Sequence, residues 1–89
     1  MAEAQGDEER EDLVAGTLSY LARSLVEHTD DVRVEHLMGE RGPTYRLHVH
    51  PDDMGRVIGR SGRIARAIRQ VTRAAAARAG TTAFVEIAE

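Results

Sequence analysis

Gly59-Arg60-Ser61-Gly62 carries the strongest chemical signal in the chain. A glycine at each end allows positive φ, and without a Cβ it lets a ligand's own backbone come close to the main chain. A helix expected to begin near Gly62 would aim unpaired N–H groups and the positive end of its dipole at the same point, which favours phosphate. Arg60 and Arg63 flank the loop, and Arg56 and Arg66 lie about one helical turn away on either side. These residue types fit a clamp for a sugar-phosphate backbone. The alternative is a tight turn between two helices in which the glycines serve geometry alone. A Gly-x-x-Gly match by itself does not decide between the two.

Charge distribution adds weight to the clamp. The net charge of the 89 residues is −3, which taken as an average argues against a polyanionic ligand. The average hides two opposed regions. The first twelve residues hold Glu3, Asp7, Glu8, Glu9, Glu11 and Asp12 against Arg10 alone, a net of −5, and the remainder is +2. From Met54 to Gly80 there are seven arginines and no Asp or Glu. The local field follows local charge, so this acid-free segment outweighs the average. A solvated helix face is the ordinary explanation for a charge run, but such faces usually interleave acids.

The twelve acidic N-terminal residues carry almost no bulky apolar side chain and are expected to form a disordered tail. Residues 13–89 are then one domain, near the lower end of what folds alone, which a partner chain would help stabilise. There is no cysteine, which removes disulfides, thiolate metal sites and thiol nucleophiles. No apolar run approaches a membrane span, and a soluble cytoplasmic protein is the expectation.

Other chemistry is weakly signalled. His48 and His50 would share one strand face with Asp52 close by, so a metal site can be drawn, but solvent-facing strand histidines are commoner and none is expected. Asp52-Asp53 is better explained as a helix start, with Asp52 as N-cap, than as an acid–base pair. Ser61 and Thr72 have no evident base beside them, so no catalytic residue and no cofactor are expected. Tyr20, Tyr45 and Phe84 are the only aromatics and form no stacking platform. Affinity of a single domain should therefore be modest, and dimerisation or a partner would raise it. The alanine-rich stretch from Ala74 to Ala79 fits plain helix propensity, and it would also permit close helix approach.

Six elements must position the loop. Val14, Leu18, Leu21 and Leu25 recur at helical spacing over Leu13–Glu27, with Asp12 as N-cap. Val32–Met38 and Thr44–His50 read as two strands, the second alternating Tyr45, Leu47 and Val49 against Arg46, His48 and His50. A short helix from Pro51-Asp52-Asp53 stops at Gly59. A longer one runs from Gly62 or Arg63 to about Arg78, with Ile64, Ile68, Val71 and Ala75 as its apolar stripe and Gly80 as its stop. Thr82–Ile87 closes the chain as a strand. Helix, strand, strand, helix, helix, strand implies an α+β domain with three helices on one face of a small sheet.

The stretch Val57-Ile58-Gly59-Arg60-Ser61-Gly62-Arg63-Ile64 resembles the core signature of KH domains, and the element order resembles their type II arrangement. Over Pro51–Arg69, and in Ala74-Ala75-Ala76-Ala77 and Val85-Glu86-Ile87, the chain is similar to the KhpA family of small bacterial KH proteins. The resemblance spans about residues 13–88; the acidic N-terminus departs from it. It implies a type II KH domain, α-β-β-α-α-β, with a three-stranded sheet and three helices on one face. It further implies a Gly-x-x-Gly loop that clamps about four nucleotides of single-stranded RNA, with bases in an apolar groove alongside. Gly59, Arg60, Ser61 and Gly62 carry over directly, with Arg56, Arg63 and Arg66 as phosphate contacts. Val57 and Ile64 are expected in the core, and Ile58 in the core or the groove floor. The family resemblance also implies an RNA chaperone or adaptor role with a KhpB-type KH partner, or as a homodimer, linked to cell shape and cell wall biogenesis. Two other readings remain open: a KH-like protein-interaction module without RNA contact, and a binder of single-stranded DNA through the same groove.

Overall fold

The computed structural model describes the backbone of residues 2–89 and the side chains of residues 8–89. Helix α1 spans Ala2–Leu25, strands β1 and β2 span Arg33–Gly39 and Gly42–His48, and the short helix α2 spans Met54–Ile58. Helix α3 spans Arg63–Arg78, and β3 spans Phe84–Ile87. Single 3-10 turns lie at Thr29–Asp31, Pro51–Asp53 and Arg60–Gly62. This is the order that periodicity predicted.

The sheet order is β1-β2-β3, with β1 antiparallel and β3 parallel to the central β2. Tyr45 and Leu47 of β2 and Val85 of β3 face the helices, where Val14, Leu18 and Ala22 of α1, Val57 of α2 and Ile68 and Ala76 of α3 close over them. The opposite sheet face carries charge. Arg46 donates from Nε to Glu86 at 3.0 Å, and its Nη1 lies 3.7 Å from Glu35. Alternation along β2 thus puts one set of residues in the core and the other in solvent.

Four local expectations change. Asp12 is not an N-cap, because α1 continues back to Ala2. The expected tail begins at Met1, outside the described residues, and from Ala2 to Asp12 the backbone is helical. Helix propagation from a formed helix costs little, and Ala, Gln and Glu are good helix formers whose acids suit the dipole's positive end. The hairpin turn is only Glu40-Arg41, because the ladder extends to Gly39 opposite Gly42. On α3 the stripe is rotated: Ala65, Ile68, Thr72 and Ala76 are buried, while Val71 is 47% exposed. Thr72 is enclosed, with its hydroxyl unpaired among the described residues. Finally, Asp52 does not cap the turn before α2. His50 does so, its Nδ1 accepting from the Asp52 N–H at 3.0 Å.

The predicted stop of α3 holds. Gly80 takes φ +79°, the Thr81 N–H donates to Ala76 O at 2.9 Å, and the Gly80 N–H to Ala77 O at 3.0 Å. That pair of bonds is the Schellman closure that a left-handed glycine makes possible.

Candidate nucleic-acid interface

The loop between α2 and α3 is built by two glycines doing different jobs. Gly59 has φ +75° and ψ 173°, a region essentially closed to other residues. A Cβ on it would lie 2.9 Å from Ile64 N and 2.3 Å from Ile64 Cγ1, so the loop folds back tightly on the first turn of α3. Gly62 is left-handed (φ +73°), yet a Cβ there would meet nothing within 4 Å, so its side is open. Ser61 is also left-handed, at φ +57°. The Gly62 N–H donates to Gly59 O at 3.1 Å, and no side chain caps the start of α3. The Arg63 N–H donates to Arg60 O, so the turn closes on itself and the start of α3, uncapped by any side chain, sits beside an exposed Arg60 and Ser61.

The arginines separate into two groups. Arg60, Arg63 and Arg66 are exposed and have no hydrogen-bond or ion-pair partner among the described residues. Arg56 is different: its Nη2 donates in a short contact to Glu27, and its Nε lies 3.5 Å from Asp53 Oδ1. Of the predicted site residues, the structure thus brings Gly59, Arg60, Ser61, Gly62, Arg63 and Arg66 together with their cations free. Arg56 is held by two carboxylates.

Next to the loop runs a groove of about 340 Å³ lined by Met54, Ile58, Gly62, Ala65, Arg66, Arg69, Ile87 and Glu89. Its walls are α2, the first half of α3 and the free edge of β3. Ile58 thus serves both core and groove, while Val57 is buried and Ile64 is half-buried against the core. Arg69 was not singled out from sequence, although Gly62, Ala65, Arg66 and Arg69 follow the i, i+3, i+4, i+7 spacing of one helix face. That spacing was the available signal.

Asp53 also escaped its role. Its side chain is 2% exposed and accepts from the Glu27 N–H at 3.1 Å, the His28 N–H at 3.0 Å and His28 Nδ1 at 2.9 Å. It ties the two residues Glu27 and His28, just after α1, to the residue that precedes α2. Burial would raise its pKa, but the two backbone donors and His28 prevail and hold it at about 2. The same contact raises His28 above its usual value, against a smaller desolvation effect.

The sequence motif His48-x-His50 does not converge on an ion. His48 Nε2 lies 3.0 Å from Glu35 on the open sheet face, whereas His50 stacks on His28 with ring centroids 3.9 Å apart and planes 12° apart. His28, His50 and Asp52 do bring ligand-type atoms within 4.8 Å of one another. Imidazole lone pairs lie in the ring plane, and parallel planes direct them side by side, so a single ion cannot meet both rings in line. Among the described residues, no helix is long and apolar enough to cross a membrane.

A Gly-x-x-Gly loop between a short and a long helix, packed on a three-stranded mixed sheet in the order α-β-β-α-α-β, defines a KH domain of type II. The chain belongs to the KhpA/KhpB KH-domain family, whose model matches residues 16–87. It is 46% identical over 59 residues to the RNA-binding protein KhpA of Mycobacterium leprae, covering 66% of this chain and 74% of that one. It is 48% identical over 67 residues to the RNA-binding protein KhpA of Clostridium perfringens, covering 75% and 89%. It is also 47% identical over 70 residues to that of Clostridium acetobutylicum, covering 79% and 93%. No solved structure matches the chain significantly.

Proposed function

We propose that this protein binds single-stranded RNA by clamping the sugar-phosphate backbone on Gly59-Arg60-Ser61-Gly62, and that it acts without catalysis as an RNA chaperone or adaptor in the cytoplasm. The supporting observation is the combination at one point of an uncapped helix start, an open glycine face and three unpartnered arginines. Phosphates meet the loop amides, Arg60, Arg63 and Arg66, with Arg56 a secondary contact that must first leave Glu27. Bases lie in the groove between Ile58, Ala65 and Ile87. The names of the KhpA relatives agree with this reading. Residues 13–89 form the binding domain, and the acidic segment 1–12, which continues α1, takes no part in RNA contact.

A single groove without aromatic platforms holds RNA modestly, so a KhpB-type KH protein or a second copy of this chain completes the binding unit. An apolar cleft between α1 and α3, lined by Leu21, Leu25, Ile64, Ala67, Ile68 and Val71, offers a surface for it. A role in cell shape and cell wall biogenesis follows the family resemblance.

The test is the double variant Arg60→Asp, Ser61→Asp, which sets carboxylates where phosphates would sit on a surface loop. Fluorescence anisotropy with a labelled single-stranded RNA should show binding lost while the far-ultraviolet circular dichroism is unchanged. Unaltered affinity in the folded variant rules the clamp out. A module that binds protein only would purify without nucleic acid, visible in its A260/A280 ratio. Competition between RNA and DNA oligonucleotides separates the single-stranded DNA reading.

A further inference from the structure

Arg69 differs from every other arginine of the basic segment. It is half-buried, and its Nε donates to Val85 O of β3 at 3.3 Å. Ala88 N–H bonds to Leu47 O, so by strand alternation residues 84, 86 and 88 turn their backbone polar groups toward β2 while Val85 and Ile87 turn theirs outward. Arg69 therefore spans the groove from α3 to the free edge of β3 and occupies one outward carbonyl. Its two terminal nitrogens have no partner among the described residues, and Arg69 lines the same groove as Ile87. Seven residues of helix place it about 10 Å beyond Gly62.

The surroundings say what Arg69 contacts. Met54, Ile58, Ala65 and Ile87 supply apolar walls there, between the polar groups of Arg66, Arg69 and Glu89. A phosphate there would lose its hydration and meet a carboxylate. A base offers two apolar faces to the walls and polar groups only at its edge. The protein groups along that edge are the terminal donors of Arg69 and the N–H and C=O of Ile87, with the Glu89 carboxylate nearby. The matching edge presents two adjacent acceptors and an exocyclic amine next to them. Cytosine has this set in O2, N3 and N4–H2. Uracil replaces the N3 acceptor with a donor, and adenine offers no adjacent acceptor pair on its Watson–Crick edge. Guanine matches only the two acceptors of its N7/O6 edge.

We propose that Arg69 is a specificity-determining residue that selects cytosine at one position of the bound strand. This rests on the RNA-binding reading above. A fixed bidentate contact to a base discriminates by about 5- to 150-fold, and in an open groove the lower part of that range applies, about 10-fold. The experiment compares labelled eight-nucleotide oligo(C), oligo(U) and oligo(A) RNA by anisotropy, with wild type and Arg69→Lys, which keeps the charge but not the fork. Wild type should bind oligo(C) about 10-fold tighter than the other two, and the variant should lose that preference. The Arg69 Nε–H resonance of the wild-type protein should shift with oligo(C) and not with oligo(U), a readout that does not depend on the variant's folding. Equal binding of all three oligomers by wild type, or a uniform drop across them in Arg69→Lys, overturns the inference and leaves RNA binding standing. Failure of wild type to bind any of them overturns both.

Discussion

Replacing Gly59 by alanine probes the loop's construction more sharply than any charge change. The φ and ψ of Gly59, +75° and 173°, are essentially glycine-only, and holding an alanine there costs about 1–3 kcal/mol. The new methyl carbon would also fall 2.9 Å from Ile64 N and Ile64 Cβ and 2.3 Å from Ile64 Cγ1. Main chain cannot swing aside as a side-chain tip can, and overpacking of this kind adds about 1–3 kcal/mol. The sum, about 2–6 kcal/mol, is set against a total stability of about 4–13 kcal/mol for a chain of this length. At about 4–8 °C per kcal/mol, the melting temperature should fall by at least about 8 °C. Gly62→Ala is the internal control. Its φ is +73° but nothing lies within 4 Å of the added carbon, so only the left-handed conformation is penalised, by about 1–2 kcal/mol. Gly55→Ala is the opposite control, an exposed helical site with free space, where alanine should stabilise by about 0.5–1 kcal/mol. Thermal unfolding followed at 222 nm should rank the three as Gly59→Ala lowest, Gly62→Ala between it and wild type, and Gly55→Ala above wild type. Equal melting temperatures for the Gly59 and Gly62 variants would refute the idea that the loop is folded tightly onto Ile64.

Two further outcomes follow from the electrostatics. His28 has a raised pKa through Asp53, so its contribution to stability is complete below about pH 6.5 and is lost as pH rises through the folded value. Asp53 is held at about 2, so its contribution is present above its ordinary carboxylate range and is lost as pH falls toward 2. Urea midpoints measured from pH 2 to 9 should therefore peak between about pH 4 and 6.5. His28→Gln should flatten the alkaline slope and Asp53→Asn the acid one, and unchanged slopes would dismiss the contact as inconsequential. For the arginines, Arg63→Ala and Arg66→Ala should each weaken RNA binding and reduce the log–log salt slope by about 0.7, the effect of one phosphate contact. Arg56→Ala should change it less, because Glu27 and Asp53 already occupy that guanidinium; a larger effect from Arg56 would reverse the assignment.

The identity and order of the elements, the loop and its acid-free surroundings were all legible in the amino-acid sequence. Periodicity, glycine conformational freedom and charge segregation are properties of neighbouring residues, and neighbours are what a sequence displays. The rotation of α3 about its axis was not legible. Val71 and Thr72 both continue an apolar stripe from Ile68, and only the way α3 is laid on the rest of the fold puts Thr72 inward and Val71 outward. The roles of Asp53 and Arg56 were hidden for a similar reason: their partners Glu27 and His28 are more than twenty residues away, and a carboxylate before a helix looks like an ordinary cap until α1 is laid against it.

Sequence alone therefore determined that a glycine-bounded, cationic loop would join two helices, because local backbone preferences suffice for that. Tertiary structure alone decided which arginines stay free, which is captured by acids, and which reaches the edge of β3. A guanidinium's availability depends on what the fold places within a few ångströms of it, and that is fixed by packing between segments distant in the chain.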